Sequence, residues 1–285
     1  METPQSKEFE FITGLAKELS SKNLIFPTSL NATMRIRSAL NTTDISAAHV
    51  AQIVGAEPVL SAQLLRMANS AAIRVGGNQI TELHTAITRL GFSMVRNVAI
   101  SVGMRQLSQA QELGGMPQEV EALWKHSIFA AATSHALAKK LTRINPDEAM
   151  LAGLLHDIGI FYILIRAKNY PDLFADKEVL QDVIRQWHTE IGEAILASWE
   201  IPDEIQAAVK GHESFDRTSF GPPDLTDVVI VANILAEQAK PGSPENIDWN
   251  NVPSSFLRLK LDEETCTAVM LESDEEIRLI AQALG

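Results

Sequence analysis

The feature that most constrains folding is a His-Asp pair inside an apolar run, AGLLHDIGIFYI at residues 152–163. A buried carboxylate is costly, because desolvation disfavours its charged form unless a cation or several hydrogen bonds compensate it. Any fold that buries this run must therefore bring such partners to Asp157. Two explanations are open: the pair holds a metal ion, or it belongs to a hydrogen-bonded core.

The composition is that of a globular chain. The 285 residues are 46% hydrophobic, enough for a large core in one unit or in two fused lobes. No run approaches the roughly 18 apolar residues of a membrane span, and METPQSKEFEF lacks the layout of a signal peptide. We therefore expect no membrane span and a cytoplasmic location. The single cysteine, Cys266, excludes an internal disulfide and zinc-thiolate chemistry.

The charge is unevenly distributed along the chain. A net charge of -12 argues against general nucleic-acid binding, which needs a basic face. Residues 22–110 carry eight Lys or Arg against three acids, net +5, whereas residues 111–285 carry fourteen against twenty-nine, net -15. The contrast fits an anionic partner or two lobes that attract each other. The scattered basic residues, without interleaved aromatic residues, favour attracting lobes.

Hydrophobic spacing is helical throughout, and alternating strand patterns are nearly absent, which predicts an all-α fold. Gly114, Gly115 and Pro117 mark the best boundary between two lobes. The predicted organisation is an extension, an N-terminal helical lobe, a second helical lobe and an acidic tail, at residues 1–22, 23–110, 119–240 and 241–285. The tail should carry a peripheral helix over residues 274–284.

Capping and helix-breaking residues predict where individual helices begin and end. Ser46 can cap a helix over residues 47–54, Pro58 can open the next one, and Gly91 should break or kink a longer helix. A helix over residues 224–238 is apolar on nearly every side and is expected to be central.

Five side chains that commonly bind metals fall on or beside the predicted helices of the second lobe: His126, His156, Asp157, His188 and His212. Imidazole nitrogens and a carboxylate oxygen suit divalent transition ions, and an adjacent His and Asp can both reach one cation. Taken singly, each histidine is more simply a core residue bonded to a backbone carbonyl. Together they predict a metal site, whereas His49, His84 and His135 are expected at the surface or in packing.

Longer motifs resemble known families. The order of these histidines around His156-Asp157 resembles the HD superfamily of metal-dependent phosphohydrolases, especially the branch of the HD-GYP cyclic-di-GMP phosphodiesterases. In the N-terminal half, FPTSL at 26–30, AQIVGAEPVLSAQLLRMANSA at 51–71 and TAITRLG at 85–91 resemble the HDOD domain, an HD-related signalling module. The resemblance covers roughly residues 23–238 and implies a multi-helix fold with an N-terminal lobe packed on an HD-type bundle.

The resemblance also implies roles for single residues. It places His126, His156 and Asp157 around a metal ion that activates water, with His188 and His212 as additional ligands of a two-metal branch. The late carboxylate of active relatives falls on Asn233, whose amide either donates an oxygen to the cation or joins helices by hydrogen bonds. Ile160 stands where the HD-GYP branch has a phosphate-binding lysine, and SFDRTSFGPP after Glu213 does not reproduce the branch's Gly-Tyr-Pro loop.

Two main functions follow from these observations. The first is a regulatory signalling module that acts through a protein partner, because the lysine and the late carboxylate are both missing. The second is a metal-dependent phosphohydrolase of a nucleotide or cyclic dinucleotide, in which Asp157 orients the attacking water. A third combines them, with metal bound for structure or sensing. The expected cofactor is one or two divalent ions, among Fe, Mn, Zn, Ni and Mg.

Overall fold

The computed structural model describes residues 4–20, 40, 45–70, 79–109, 116–171, 174–239 and 247–285. Every regular element in these ranges is a helix, which confirms the predicted all-α class. The helices are α1 (Pro4–Ser20), α2 (Ala47–Gly55), α3 (Pro58–Ala68), α4 (Leu83–Ser108), α5 (Pro117–Leu141), α6 (Pro146–Leu155), α7 (Ile158–Ala167), α8 (Lys177–Ser198), α9 (Asp203–Gly211), α10 (Leu225–Gln238), α11 (Ser254–Arg258) and α12 (Glu263–Leu284).

The predicted helix starts and breaks are found where the sequence places them. The Ser46 side chain accepts a hydrogen bond from the backbone N–H of His49 and caps α2. Pro58 is the first residue of α3. Gly91 has φ 76° and ψ 162° within α4, a conformation that favours glycine and kinks the helix. These local signals depend only on neighbouring residues, so the sequence predicts them well.

The second lobe is built around α5, which packs against α6, α10 and α12, while α8 packs against α7 and α9. Two glycines permit the closest approaches. A Cβ on Gly153 would lie 2.7 Å from the Ala130 carbonyl oxygen on α5, and a Cβ on Gly159 would lie 2.0 Å from the His188 carbonyl oxygen on α8. The residues between these glycines are therefore held between α5 and α8.

The N-terminal lobe shares one hydrophobic core with the second lobe. Buried Val98 of α4 and buried Leu155 of α6 belong to the same cluster. Across the lobes, Asn97 Nδ2 donates to the Asp147 carbonyl oxygen at 2.7 Å, and Arg105 pairs with Glu121 at 2.7 Å. The predicted boundary after residue 22, most of the predicted linker over residues 111–118 and the boundary after residue 240 lie outside the described residues, so the domain limits stay predictions. Pro117 and Gln118, at the end of that linker, already belong to α5.

The C-terminal tail packs against both lobes. The helix expected over residues 274–284 begins earlier, at Glu263, and buries Ile277, Ile280 and Leu284. It contacts α5, α3 and α4, so its inner face is part of the core. The acidic composition of the tail obscures this apolar stripe, because the acids occupy the opposite, solvent-facing side.

Contrary to the expectation that no apolar run approaches the length of a membrane span, the stretch Pro146–Ala167, which covers α6 and α7, is long and apolar enough to cross a membrane by length and composition. Within this stretch, 89% of the most apolar 18 residues are buried inside the fold. Helices in the core of a folded domain often have this length and composition, so these two properties alone are weak evidence for a span. The His156-Asp157 pair also interrupts the stretch, since α6 ends at Leu155 and α7 begins at Ile158.

Candidate metal centre

The structure brings all six predicted metal-site residues together in the second lobe. His156 and Asp157 occupy the break between α6 and α7. His126 lies on α5, His188 on α8 and Asn233 on α10, and His212 is the residue directly after α9. The four histidines and Asp157 are buried.

The first triad consists of His126, His156 and Asp157. The two histidine Nε2 atoms lie 3.1 Å apart, and His156 Nε2 lies 3.1 Å from Asp157 Oδ2. His126 Nε2 lies 3.7 Å from the same oxygen and 2.8 Å from Asn233 Oδ1. Asn233 therefore occupies the fourth corner of this group, where its amide oxygen can serve as a ligand.

The second triad consists of Asp157, His188 and His212. The histidine Nε2 atoms lie 3.4 Å apart, and Asp157 Oδ1 lies 3.5 Å from His212 Nε2 and 4.0 Å from His188 Nε2. Asp157 thus turns Oδ2 towards the first triad and Oδ1 towards the second. One carboxylate can therefore bridge two cations.

The backbone orients three of the imidazoles. Nδ1 of His156, His188 and His212 lies 2.7, 2.7 and 2.6 Å from the carbonyl oxygens of Gly153, Ile184 and Val209 respectively. Donation from Nδ1 leaves the Nε2 lone pair of a neutral ring free for a metal ion. The carbonyls come from the preceding helical turn, so helix geometry itself fixes the ring direction.

The separations between these atoms fit a metal ion with nitrogen and oxygen ligands. Ligands at about 2.1 Å from an ion are about 3.0 Å apart at right angles, about 3.4 Å apart in a tetrahedron and about 4.2 Å apart when opposite. The spacings of 3.1 to 3.7 Å in the first triad and 3.4 to 4.0 Å in the second lie in this range. The 2.8 Å between His126 Nε2 and Asn233 Oδ1 is shorter and is a hydrogen-bond distance. Such crowded acceptors repel one another unless a proton or a metal ion lies between them.

The electrostatics of the pair also call for a cation. Burial alone would raise the pKa of Asp157, but His156 and His212 outweigh it and hold that pKa well below its usual range. Burial alone would lower the pKa of His156, but Asp157, with smaller contributions from the Gly153 carbonyl and Glu213, raises it. Both directions favour a negative charge on Asp157 beside a positive charge, which is the arrangement that a bound cation would also satisfy.

Two glutamates beside the centre were not among the predicted site residues. Glu213 Oε1 lies 3.7 Å from His188 Nε2, and Glu237 Oε2 lies 3.9 Å from His126 Nδ1. Their side chains are 46% and 54% exposed, at the rim of the buried group. The available signals were that Glu213 follows His212 directly and that Glu237 lies one helical turn after Asn233.

A cavity of about 750 Å³ reaches the first triad at His126. Its walls are contributed by α5 and by the end of α10, and they include Gln118, Lys125 and Phe129. Ile160, which stands where the HD-GYP branch has a phosphate-binding lysine, is a partly buried apolar residue of α7. Among the described residues that line this cavity, Lys125 is the cationic one.

The remaining histidines lie elsewhere. His49 and His84 are exposed. His135 lies between Asp147 and Glu276, at 3.9 and 3.5 Å, on the face of α5 away from the candidate metal centre.

Comparisons with known proteins agree with this architecture. The family model of the HDOD domain matches residues 26–215. A protein of Shewanella amazonensis SB2B, provisionally named a metal-dependent phosphohydrolase, has a crystal structure with TM-score 0.76 and 25% identity, covering 98% of this chain and 100% of that chain. A protein of Marinobacter aquaeolei VT8, provisionally named a signal transduction protein, has a crystal structure with TM-score 0.62 and 19% identity. The match covers 99% of this chain and 66% of that chain.

A curated relative is longer than this chain. An uncharacterised protein of Treponema pallidum (strain Nichols) is 22% identical over 290 residues, which cover 95% of this chain and 51% of the relative. The chain therefore spans about half the length of the curated relative it matches.

Proposed function

The chain belongs to the HDOD domain family, and we propose that it is a regulatory signalling module built around a bound pair of divalent metal ions. The observation that carries this proposal is the position of Asp157 between two triads, with one carboxylate oxygen towards each. Bound ions of this type polarise phosphoryl oxygens and activate water. Here they would also join α5, α8 and the end of α9 to the break between α6 and α7 through their ligands.

The geometry supports regulation because the centre is linked to the N-terminal lobe. His156 lies at the C-terminal end of α6, and Asp147 near the N-terminal end of the same helix accepts a hydrogen bond from Asn97 of α4. A metal ion that fixes His156 also fixes α6, and this constraint reaches α4 through that contact. A protein partner that binds the N-terminal lobe would then sense metal occupancy.

Metal content is the first test of the proposal. Protein purified without an affinity tag and reconstituted with Mn²⁺ or Fe²⁺ should hold up to two ions per chain by elemental analysis. Asp157→Asn should lose both, because it removes the bridging charge, while His135→Gln should retain both. A wild-type protein that remains free of metal after reconstitution overturns the proposal.

Amide hydrogen exchange tests the regulatory part. Mn²⁺ should slow exchange in α6 and α7 and also in α4 of the wild-type protein, and it should change neither in Asp157→Asn. If protection changes around the ions while α4 exchanges at the same rate, the proposed link to the N-terminal lobe is wrong.

A phosphohydrolase is the second candidate, and the cavity beside His126 favours it. Its volume would admit a nucleotide-sized phosphoester, with Lys125 and Gln118 available to the phosphate and Phe129 to an apolar or aromatic group. Against it stand Ile160 and Asn233, which supply neither the phosphate-binding cation nor the additional carboxylate of active relatives. Phosphodiester hydrolysis with Mn²⁺ or Fe²⁺, lost in folded Asp157→Asn, would establish this second function. Metal-loaded protein without turnover would exclude it for the substrates tested.

A further inference from the structure

The two glutamates at the rim are alike in exposure but face opposite sides of their histidines. Glu237 approaches Nδ1 of His126, the nitrogen that faces away from the first triad, at 3.9 Å. Glu213 approaches Nε2 of His188, the nitrogen directed at Asp157 and His212, at 3.7 Å. Only Glu213 therefore reaches the side of a histidine on which an ion would lie.

The position of Glu213 in the chain suits a ligand. Glu213 follows His212, whose ring is held by a hydrogen bond between Nδ1 and the Val209 carbonyl oxygen. The backbone that carries Glu213 is therefore fixed beside the centre. Its half-exposed side chain can rotate without displacing core residues. A carboxylate oxygen also matches the nitrogen and oxygen donors already present.

With Glu213 included, the ligands available to the two ions differ in total charge. The first group offers two imidazoles, the neutral amide of Asn233 and a share of Asp157. The second offers two imidazoles and a share of Asp157, to which Glu213 adds a full negative charge. Because affinity for divalent cations rises with the number of charged ligands, the second group should hold its ion more tightly.

Resting on the proposed metal centre, we propose that Glu213 is the fourth protein ligand of the second ion, and that the second site fills before the first. The occupant is a divalent transition ion bound by Asp157, His188, His212 and Glu213. Glu237 is a positioning residue, which acts on the first site through His126. The carboxylate absent at Asn233 is thus replaced at a different ligand position, beside the other ion.

Mn²⁺ titration of the full chain tests this order of filling. The variant His126→Gln removes a ligand of the first site and should bind one ion. Adding Glu213→Gln to this variant should lower its affinity for the remaining ion at least about tenfold. Adding Glu237→Gln instead should leave its affinity within about twofold, because the histidine that Glu237 faces is already gone.

Single variants keep the test valid if His126→Gln fails to fold. In the wild-type background, Glu213→Gln should weaken the tighter of two binding steps about tenfold, and Glu213→Asp should restore part of the loss. Glu237→Gln should change only the weaker step.

The outcomes separate this inference from the proposal beneath it. A wild-type chain that binds no Mn²⁺ overturns both. Two ions bound equally well by wild type and Glu213→Gln overturn the role of Glu213 and leave the metal centre intact. A folded His126→Gln variant that binds no ion, or an equal effect of Glu237→Gln on the tighter step, also overturns the role of Glu213.

Discussion

Gly159→Ala should disrupt the packing that joins the two halves of the centre. The added Cβ would lie 2.0 Å from the His188 carbonyl oxygen and 2.8 Å from its carbonyl carbon, whereas real Cβ contacts essentially never fall under 3.0 Å. Since both obstacles are backbone, α7 and α8 must separate by about 1 Å to restore an allowed contact. Asp157 begins the turn into α7 and His188 lies on α8, so the same movement pulls the second triad apart.

Overpacking of this kind costs about 3 kcal/mol of unfolding free energy, at the upper end for core substitutions because backbone cannot change rotamer. At about 2 °C per kcal/mol for a chain of this size, the melting temperature should fall by about 6 °C. Calorimetry and denaturant titration measure the loss, and Mn²⁺ titration should show a weaker second ion.

Gly55→Ala is the matched control. Its Cβ would meet Leu83 Cδ2 at 3.9 Å, an ordinary contact, at the exposed end of α2. It should leave stability within about 1 kcal/mol, or raise it slightly by reducing the entropy of the unfolded chain. If Gly159→Ala is as stable as this control and binds Mn²⁺ normally, the reasoning from close α7–α8 packing is refuted.

Three further predictions concern other buried groups. Asp227 is fully buried and accepts hydrogen bonds from Arg217, Arg258 and Ser255. Asp227→Asn should therefore lower the free energy of unfolding by about 3 to 5 kcal/mol in denaturant titration, more than the same change at half-exposed Asp224. Equal losses of unfolding free energy in the two variants would contradict this prediction. Burial raises the pKa of the Cys266 thiol to about 11, so thiol reagents at pH 8 should label it only after unfolding; rapid labelling of folded protein would show that it is accessible. Burial lowers the pKa of His135 despite Glu276, so its contribution to stability is fully present above about pH 6.5, the ordinary histidine pKa. That contribution is lost as the pH falls from there through the lower pKa of the folded state. His135→Gln should flatten this part of the pH–stability curve, and an unchanged slope would show that His135 does not cause it.

Much of the candidate site could be proposed from sequence because its residue types are unusual where they stand. A His-Asp pair in an apolar run and further histidines on inward helical faces are local patterns, and periodicity predicts which way each side chain points. The capped and kinked helices around Ser46, Pro58 and Gly91 follow from the same short-range rules. Whether the six residues hold metal stays a prediction for the titrations.

The two glutamates were missed for a physical reason. Exposed carboxylates are common on an acidic chain. The proximity of Glu213 to His212 and of Glu237 to Asn233 along the sequence does not by itself distinguish a ligand from a solvated side chain. The difference between them is whether Nε2 or Nδ1 of a histidine faces the carboxylate. That difference depends on rings held by carbonyls of separate helices, so it exists only in the folded chain.

The sequence by itself determined the all-α class, the main helix boundaries and the set of histidines and aspartate available to a metal, because these depend on composition and spacing along the chain. The tertiary structure alone decided that Asp157 has one oxygen for each triad, that the acidic tail closes the core through α12, and that Asp227 is buried among arginines. Each of these depends on distances between helices far apart in sequence. Those distances are set by packing, at contacts as close as that between Gly159 and His188.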